Sequence, residues 1–269
     1  MKPEAQPLIE ALNLKQVSSS GGFPRFESSG HSHRLVISGI GKVNAAAATS
    51  WLGRESQSWN AWLNFGIAGH QTAQVGSIVR AGRISDGATG RSWYPASVWP
   101  AKKDKFLSIE LLTVDKPTDQ YPETGQYIDM EAAGYFPTAL RFSTSELVQS
   151  FKVISDNQTT NLSDLRSPAV KQIVSEAVPE ILEWLPNMEQ IIREEYQRFA
   201  PPDGWEEIIK TFHFTATETH QLKRLATRAL TLKKFSSLTE YCESCNFQTG
   251  KEILKDLNRL LSDAESAEN

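Results

Sequence analysis

The chain has 269 residues, 39% of them hydrophobic and 22% charged, which allows a packed domain with an extension and excludes wholesale disorder. A net charge of −4 argues against a general nucleic-acid binder, and no apolar run is long enough to span a membrane. The opening residues, MKPEAQPLIEALNLKQ, lack the apolar block of a signal peptide, and the two cysteines, Cys242 and Cys245, fit a reducing, cytoplasmic setting.

Residues 4–15 read as a short helix with Leu8, Ile9, Leu12 and Leu14 near one side and Pro7 in its first turn. Residues 18–22, SSSGG, are a turn cluster. Residues 34–40, RLVISGI, read as a buried strand, and Gly41-Lys42-Val43-Asn44 leads into an alanine-rich helix over 45–52. Strand, glycine turn and helix is how an α/β unit begins, with backbone N–H groups gathered at the helix start. Further strands are expected at 62–65, followed by Gly66-Ile67-Ala68-Gly69, at 76–84 and at 106–114. Residues 85–103 are a loop rich in Trp, Pro and Gly, and 117–125 a polar loop.

Met130 and Glu131 then open an alanine-rich helical run, and an apolar strand at 151–154 ends on Ser155-Asp156-Asn157. Two carboxylates thus sit at the ends of neighbouring elements, each beside apolar residues. Such a pair can divide the work of holding a substrate and moving a proton. Helical spacing follows over 163–185, and beyond Pro186 only helices are expected: 188–199, 205–212, 217–232 with Thr217 as its cap, and 250–261. The composite is an α/β core over residues 1–185, three-layered with helices on both faces of a twisted sheet, and an all-helical extension over residues 186–269.

Four segments, taken in order, resemble the nucleoside phosphorylase/nucleosidase superfamily, and within it the 5′-methylthioadenosine/S-adenosylhomocysteine nucleosidase branch. They are Glu4-Ala5-Gln6-Pro7-Leu8, Ser38-Gly39-Ile40-Gly41-Lys42-Val43-Asn44-Ala45-Ala46, Asn64-Phe65-Gly66-Ile67-Ala68-Gly69 with Val75-Gly76-Ser77-Ile78-Val79, and Asp129-Met130-Glu131-Ala132-Ala133 with Ile154-Ser155-Asp156. The resemblance implies a three-layer αβα core and purine N-glycosidic chemistry. Asp156 would protonate purine N7, Glu131 would bind the ribose hydroxyls, and Glu4 would orient or deprotonate the attacking water. Met130 would pack on the sugar or base, while Gly41, Ile67, Ala68 and Gly69 would line the nucleoside. It implies no metal, no organic cofactor and a homodimer.

The chain departs from the family where a glycine-containing strand normally precedes the position of Glu4. About 60 residues separate Gly69 from Glu131, fewer than the nucleosidases carry, so an aromatic purine clamp has only Trp93, Tyr94 and Trp99 as candidates by composition. Ile67 stands where a phosphate-binding hydroxyl would come from the glycine loop, so water is favoured as nucleophile. Arg80, Arg83 and Arg91 keep phosphorolysis open, and a non-catalytic nucleoside-binding module is the third reading.

Each sharp reading has a plainer one beside it. Glu131 could merely favour a helix dipole, Asp156 cap a turn, Glu4 sit on a helix surface and Met130 fill the core. Gly39-x-Gly41-Lys42 lacks the GxxxxGK[ST] pattern of a triphosphate loop. His31 and His33, and Cys242-x-x-Cys245, lack the further ligands a metal needs. The basic cluster from Lys223 to Lys234 reads most simply as a solvated helix face.

Overall fold

The computed structural model describes residues 1–17, 22–54, 60–97, 105–160 and 167–267. It divides into two compact units, Met1–Glu195 and Tyr196–Asn269.

The first unit is α/β, with helices packed on a six-stranded mixed sheet. It opens with α1 (Lys2–Ala11), whose Leu8 and Ile9 are buried. Pro3 rather than Pro7 occupies the helix start, and Pro7 lies inside. Three short strands follow, β1 (Lys15–Val17), β2 (Arg25–Glu27) and β3 (Arg34–Val36), paired antiparallel in a sheet of their own. This corrects the expectation that 34–40 begins a unit of the main sheet. Only 34–36 is a strand, and left-handed glycines at Gly39 (φ 85°) and Gly41 (φ 96°) then turn the chain into α2 (Lys42–Gly53).

The main sheet comprises β4 (Trp62–Gly69), β5 (Ile78–Asp86), β6 (Ser92–Trp93), β7 (Leu107–Thr113), β8 (Tyr127–Asp129) and β9 (Val148–Asp156), in the order β6-β5-β7-β8-β4-β9. β5 also pairs with β9, so five of the strands close into a ring. β4 and β9 run parallel in register from Trp62↔Val148 to Gly69↔Asp156. All nine residues of β9 are buried, as a strand covered on both faces must be. The register sets Gly69, at the end of β4, against Asp156.

Between β8 and β9 lies α3 (Ala132–Ala139), which packs on α2. The approach is close enough that a Cβ at Gly134 would collide with the Lys42 carbonyl oxygen. After β9 comes α4 (Ser167–Phe199), one 33-residue helix that keeps both Pro179 and Pro186 inside it. The expected break at Pro186 is absent. Ile181, Trp184 and Met188 continue one buried apolar stripe through that position, packed with Phe106, Phe151 and Val153. Each such side chain contributes about 1.5–3 kcal/mol on burial, together enough to outweigh the proline's cost of about 3 kcal/mol.

The second unit contains α5 (Trp205–Thr211), α6 (Ala216–Thr231), α7 (Leu238–Cys245) and α8 (Gly250–Ala267) around a core that includes Leu222, Leu225, Leu238, Ile253 and Leu257. The α6 cap lies two residues before the expected Thr217: Thr215 and Glu218 form a capping box.

Candidate active site

The two carboxylates read from the sequence line one cavity of about 610 Å³, together with Glu4, Met130, Ile67, Ala68 and Gly69. Gly41 is not on its wall but is tied to it: its N–H donates to Glu131 Oε1 at 2.9 Å.

That contact follows from how the α3 start is capped. Asp129 Oδ2 accepts from the N–H groups of Ala132 (2.8 Å) and Glu131 (3.3 Å), and Thr113 Oγ1 accepts from Ala133 (3.0 Å) while donating to Asp129 Oδ1 (2.6 Å). The orphan amides of the helix are thereby taken by β7 and β8. Glu131 is the residue at the helix cap, yet its side chain makes no cap hydrogen bond. Its carboxylate reaches across to Gly41 instead, and the close α2–α3 approach at Gly134 brings the two together.

A buried cation sits among these acids. Lys152 lies on β9 with its side chain 1% exposed, and its Nζ is 2.8 Å from Asp129 Oδ2. Burial alone pulls a lysine towards neutrality, but Asp129, then Glu131 and Glu4, overcome it and raise its pKa above the ordinary value. Glu131 is moved upward too, chiefly by burial and also by Asp129 and Glu4, against the pull of Lys152 and the Gly41 N–H. Glu4 projects from α1, its Oε1 3.1 Å from the Met1 amino group. Its Oε2 lies over Gly66, where a Cβ would come within 3.0 Å of it and 3.6 Å of Lys152 Nζ. A side chain at Gly66 would make that juxtaposition tight.

At the C-terminal end of the parallel β4–β9 pair, beyond Lys152 on the same strand, Asp156 is 3% exposed. Its Oδ2 accepts from the Tyr121 hydroxyl at 2.6 Å, and Ser155 Oγ lies 2.5 Å from Oδ1. A Cβ on Gly69 would strike both Asp156 Oδ2 and the Tyr121 ring. Gly69 is thus the floor on which the carboxylate rests. Burial, followed by the Asp156 carboxylate, raises the Tyr121 pKa, so this phenol stays protonated and donates.

The aromatic clamp expected from composition is not here. Trp93 pairs with Ile84 in β6, Tyr94 is 67% exposed beside Arg83, and neither lines the cavity; Trp99 lies outside the described residues. Nor do Arg80, Arg83 and Arg91 line it. Arg80 is held by Gln149 and Ser97, and Arg83 by Glu110 and Ser92. His70 stacks on Tyr127 at 4.1 Å, its Nδ1 accepting from Thr72 and Ala73, and is likewise off the wall. Among the described residues no group of three His, Cys, Asp or Glu is placed to hold a metal ion.

Sequence reasoning missed Lys152, the capping role of Asp129, and Tyr121. The one available signal was the lysine itself, standing between Phe151 and Val153 in an otherwise apolar strand.

No family model matches the chain, and no curated protein matches it. Solved structures do. The chain is similar in fold to the 5′-methylthioadenosine/S-adenosylhomocysteine nucleosidase of Colwellia psychrerythraea in complex with adenine, at 22% identity over 65% of this chain and 90% of that one, TM-score 0.51. It is similar to the enzyme of the same name from S. pneumoniae with a transition-state inhibitor, at 18% identity over 69% and 95%, TM-score 0.53. Futalosine hydrolase of Helicobacter pylori is similar at 14% identity over 71% and 94%, TM-score 0.54. At these identities the likeness establishes the fold, and the resemblance read from the four segments holds at that level.

Proposed function

We propose that the chain hydrolyses the N-glycosidic bond of a purine nucleoside or a 5′-modified adenosine derivative. The observation that carries this reading is the convergence of Asp156, Glu131, Glu4 and Lys152 on one cavity at the shared end of β4, β8 and β9. The neighbours in fold, by their names, are nucleosidases and a hydrolase, one of them bound to adenine.

A purine anion is a poor leaving group. Protonated by Asp156 at N7, the base takes the C–N bonding pair and departs neutral, a gain of about 10²–10⁴-fold for a positioned acid. The sugar carbon gains cationic character, and Glu131 grips the neighbouring hydroxyls, contacts that tighten as charge develops. A water bonds to that carbon and yields its proton to Glu4. Lys152 balances the negative charge of Asp129, Glu131 and Glu4 through all of this. Exchange of both protons with solvent returns Asp156 and Glu4 to their starting states.

Water is favoured over phosphate because Arg80, Arg83 and Arg91 lie off the cavity wall, Arg34, which does line it, is paired with Glu27 at 3.4 Å, and Ile67 offers no hydroxyl to the cavity. The homodimer and the cytoplasmic setting belong to this proposal as well. Among the described residues no helix is long and apolar enough to cross a membrane. The test is release of free purine from adenosine, methylthioadenosine, S-adenosylhomocysteine and inosine in phosphate-free buffer. Release without phosphate is expected. Strict phosphate dependence would overturn hydrolysis, and binding without turnover would leave a nucleoside sensor.

A further inference from the structure

We propose that Tyr121 is a positioning residue for the reaction, acting on the base through Asp156; this rests on the nucleosidase reading above. Tyr121 belongs to the segment joining β7 to β8, of which Val114, Pro117 and Thr118 line the cavity. Its own hydroxyl reaches past them to Asp156 Oδ2. The contact is constrained from three sides. The Tyr121 ring and Oδ2 both rest against Gly69, and Ser155 Oγ occupies the other carboxylate oxygen. Each carboxylate oxygen thus accepts from a hydroxyl, Oδ2 from Tyr121 and Oδ1 from Ser155.

A phenol that donates to a carboxylate stabilises the ionised form, and such charge-assisted bonds are roughly twice as strong as neutral ones. Tyr121 thus fixes the direction of the carboxyl group, which takes its proton from solvent water and passes it to the base nitrogen. The other groups to weigh are Asp119, which acts on the Tyr121 hydroxyl from the same loop, Lys152 on the same face of β9, and Asp129 and Glu131 along the cavity. Just past β4, His70 meets Asp156 through its main-chain N–H, 3.1 Å from the Asp156 carbonyl oxygen. None of these others donates a side-chain hydrogen bond to Oδ2 among the described residues.

Tyr121→Phe removes the hydroxyl and keeps the ring that packs on Gly69. The expected result is a split between the two kinetic constants for purine release. kcat falls a few-fold, because a less well aimed acid transfers its proton more slowly. KM stays within about two-fold, because the ring and the cavity wall are kept. A purely structural role for Tyr121 would lower the melting temperature and leave kcat alone, and an unchanged kcat would overturn the proposal. If the wild-type protein releases no purine at all, the nucleosidase reading fails by itself. A crystal structure of Tyr121→Phe then decides the matter: a turned Asp156 carboxylate supports the proposal, and one that coincides with the wild type defeats it.

Discussion

The two compact units are held together on different terms. In Met1–Glu195, thirteen side chains among the described residues are both polar or charged and buried, including Asp129, Lys152 and Asp156. In Tyr196–Asn269 the described residues include none; its core is Leu, Ile and Ala with Tyr241 and Cys242 at the edge, and the Tyr241 hydroxyl is satisfied by Asp256. Burying ions costs several kcal/mol each unless partners compensate. A fold that needed only stability would follow the second unit. The first places Asp129, Asp156 and the buried Lys152 on the wall of one cavity, which is where a protein gives up stability for chemistry.

The contrast can be broken or sharpened by substitution. Asp156→Asn keeps the shape and removes the acid; purine release should fall by about 10²–10⁴-fold with the melting temperature little changed, and unchanged turnover would contradict the assignment. Lys152→Met leaves Asp129 buried without its cation and should cost about 3–5 kcal/mol in denaturant unfolding. Because the acids raise the Lys152 pKa on folding, its stabilisation is fully present below the unfolded value of about 10.4 and is lost as pH rises through the folded value. Lys152→Met should lack that alkaline loss. In the second unit, Leu222→Ala should cost about 2–5 kcal/mol and leave the kinetics of purine release unchanged. The smallest expected effect is Thr215→Ala, which removes the α6 cap at about 1 kcal/mol, again with no change in turnover.

What could be read from the sequence divides along the same line as the range of the forces involved. β4, β5, β7 and β9 were visible because apolar runs announce buried strands, and Glu131 and Asp156 because they sit in recognisable segments at element ends. The charge network was not, because each of its bonds joins residues far apart in the chain: Lys152 to Asp129, Glu131 to Gly41, Tyr121 to Asp156. A lysine in an apolar strand signals a buried partner without naming it. β6 and β8, two and three residues long, carry too little pattern to detect, and α7 has only eight residues with two cysteines and two glutamates among them. The segment at 34–40 looked like a core strand by composition. Its glycines, which require left-handed backbone at positions 39 and 41, were the contrary signal.

The most direct test is a crystal structure with a purine nucleoside bound. The account predicts the purine N7 within hydrogen-bond distance of Asp156, the ribose hydroxyls against Glu131, and a water between Glu4 and the glycosidic carbon. A nucleoside seated with its base away from Asp156, or with Glu131 still engaged by Gly41 alone and the sugar elsewhere, would contradict it.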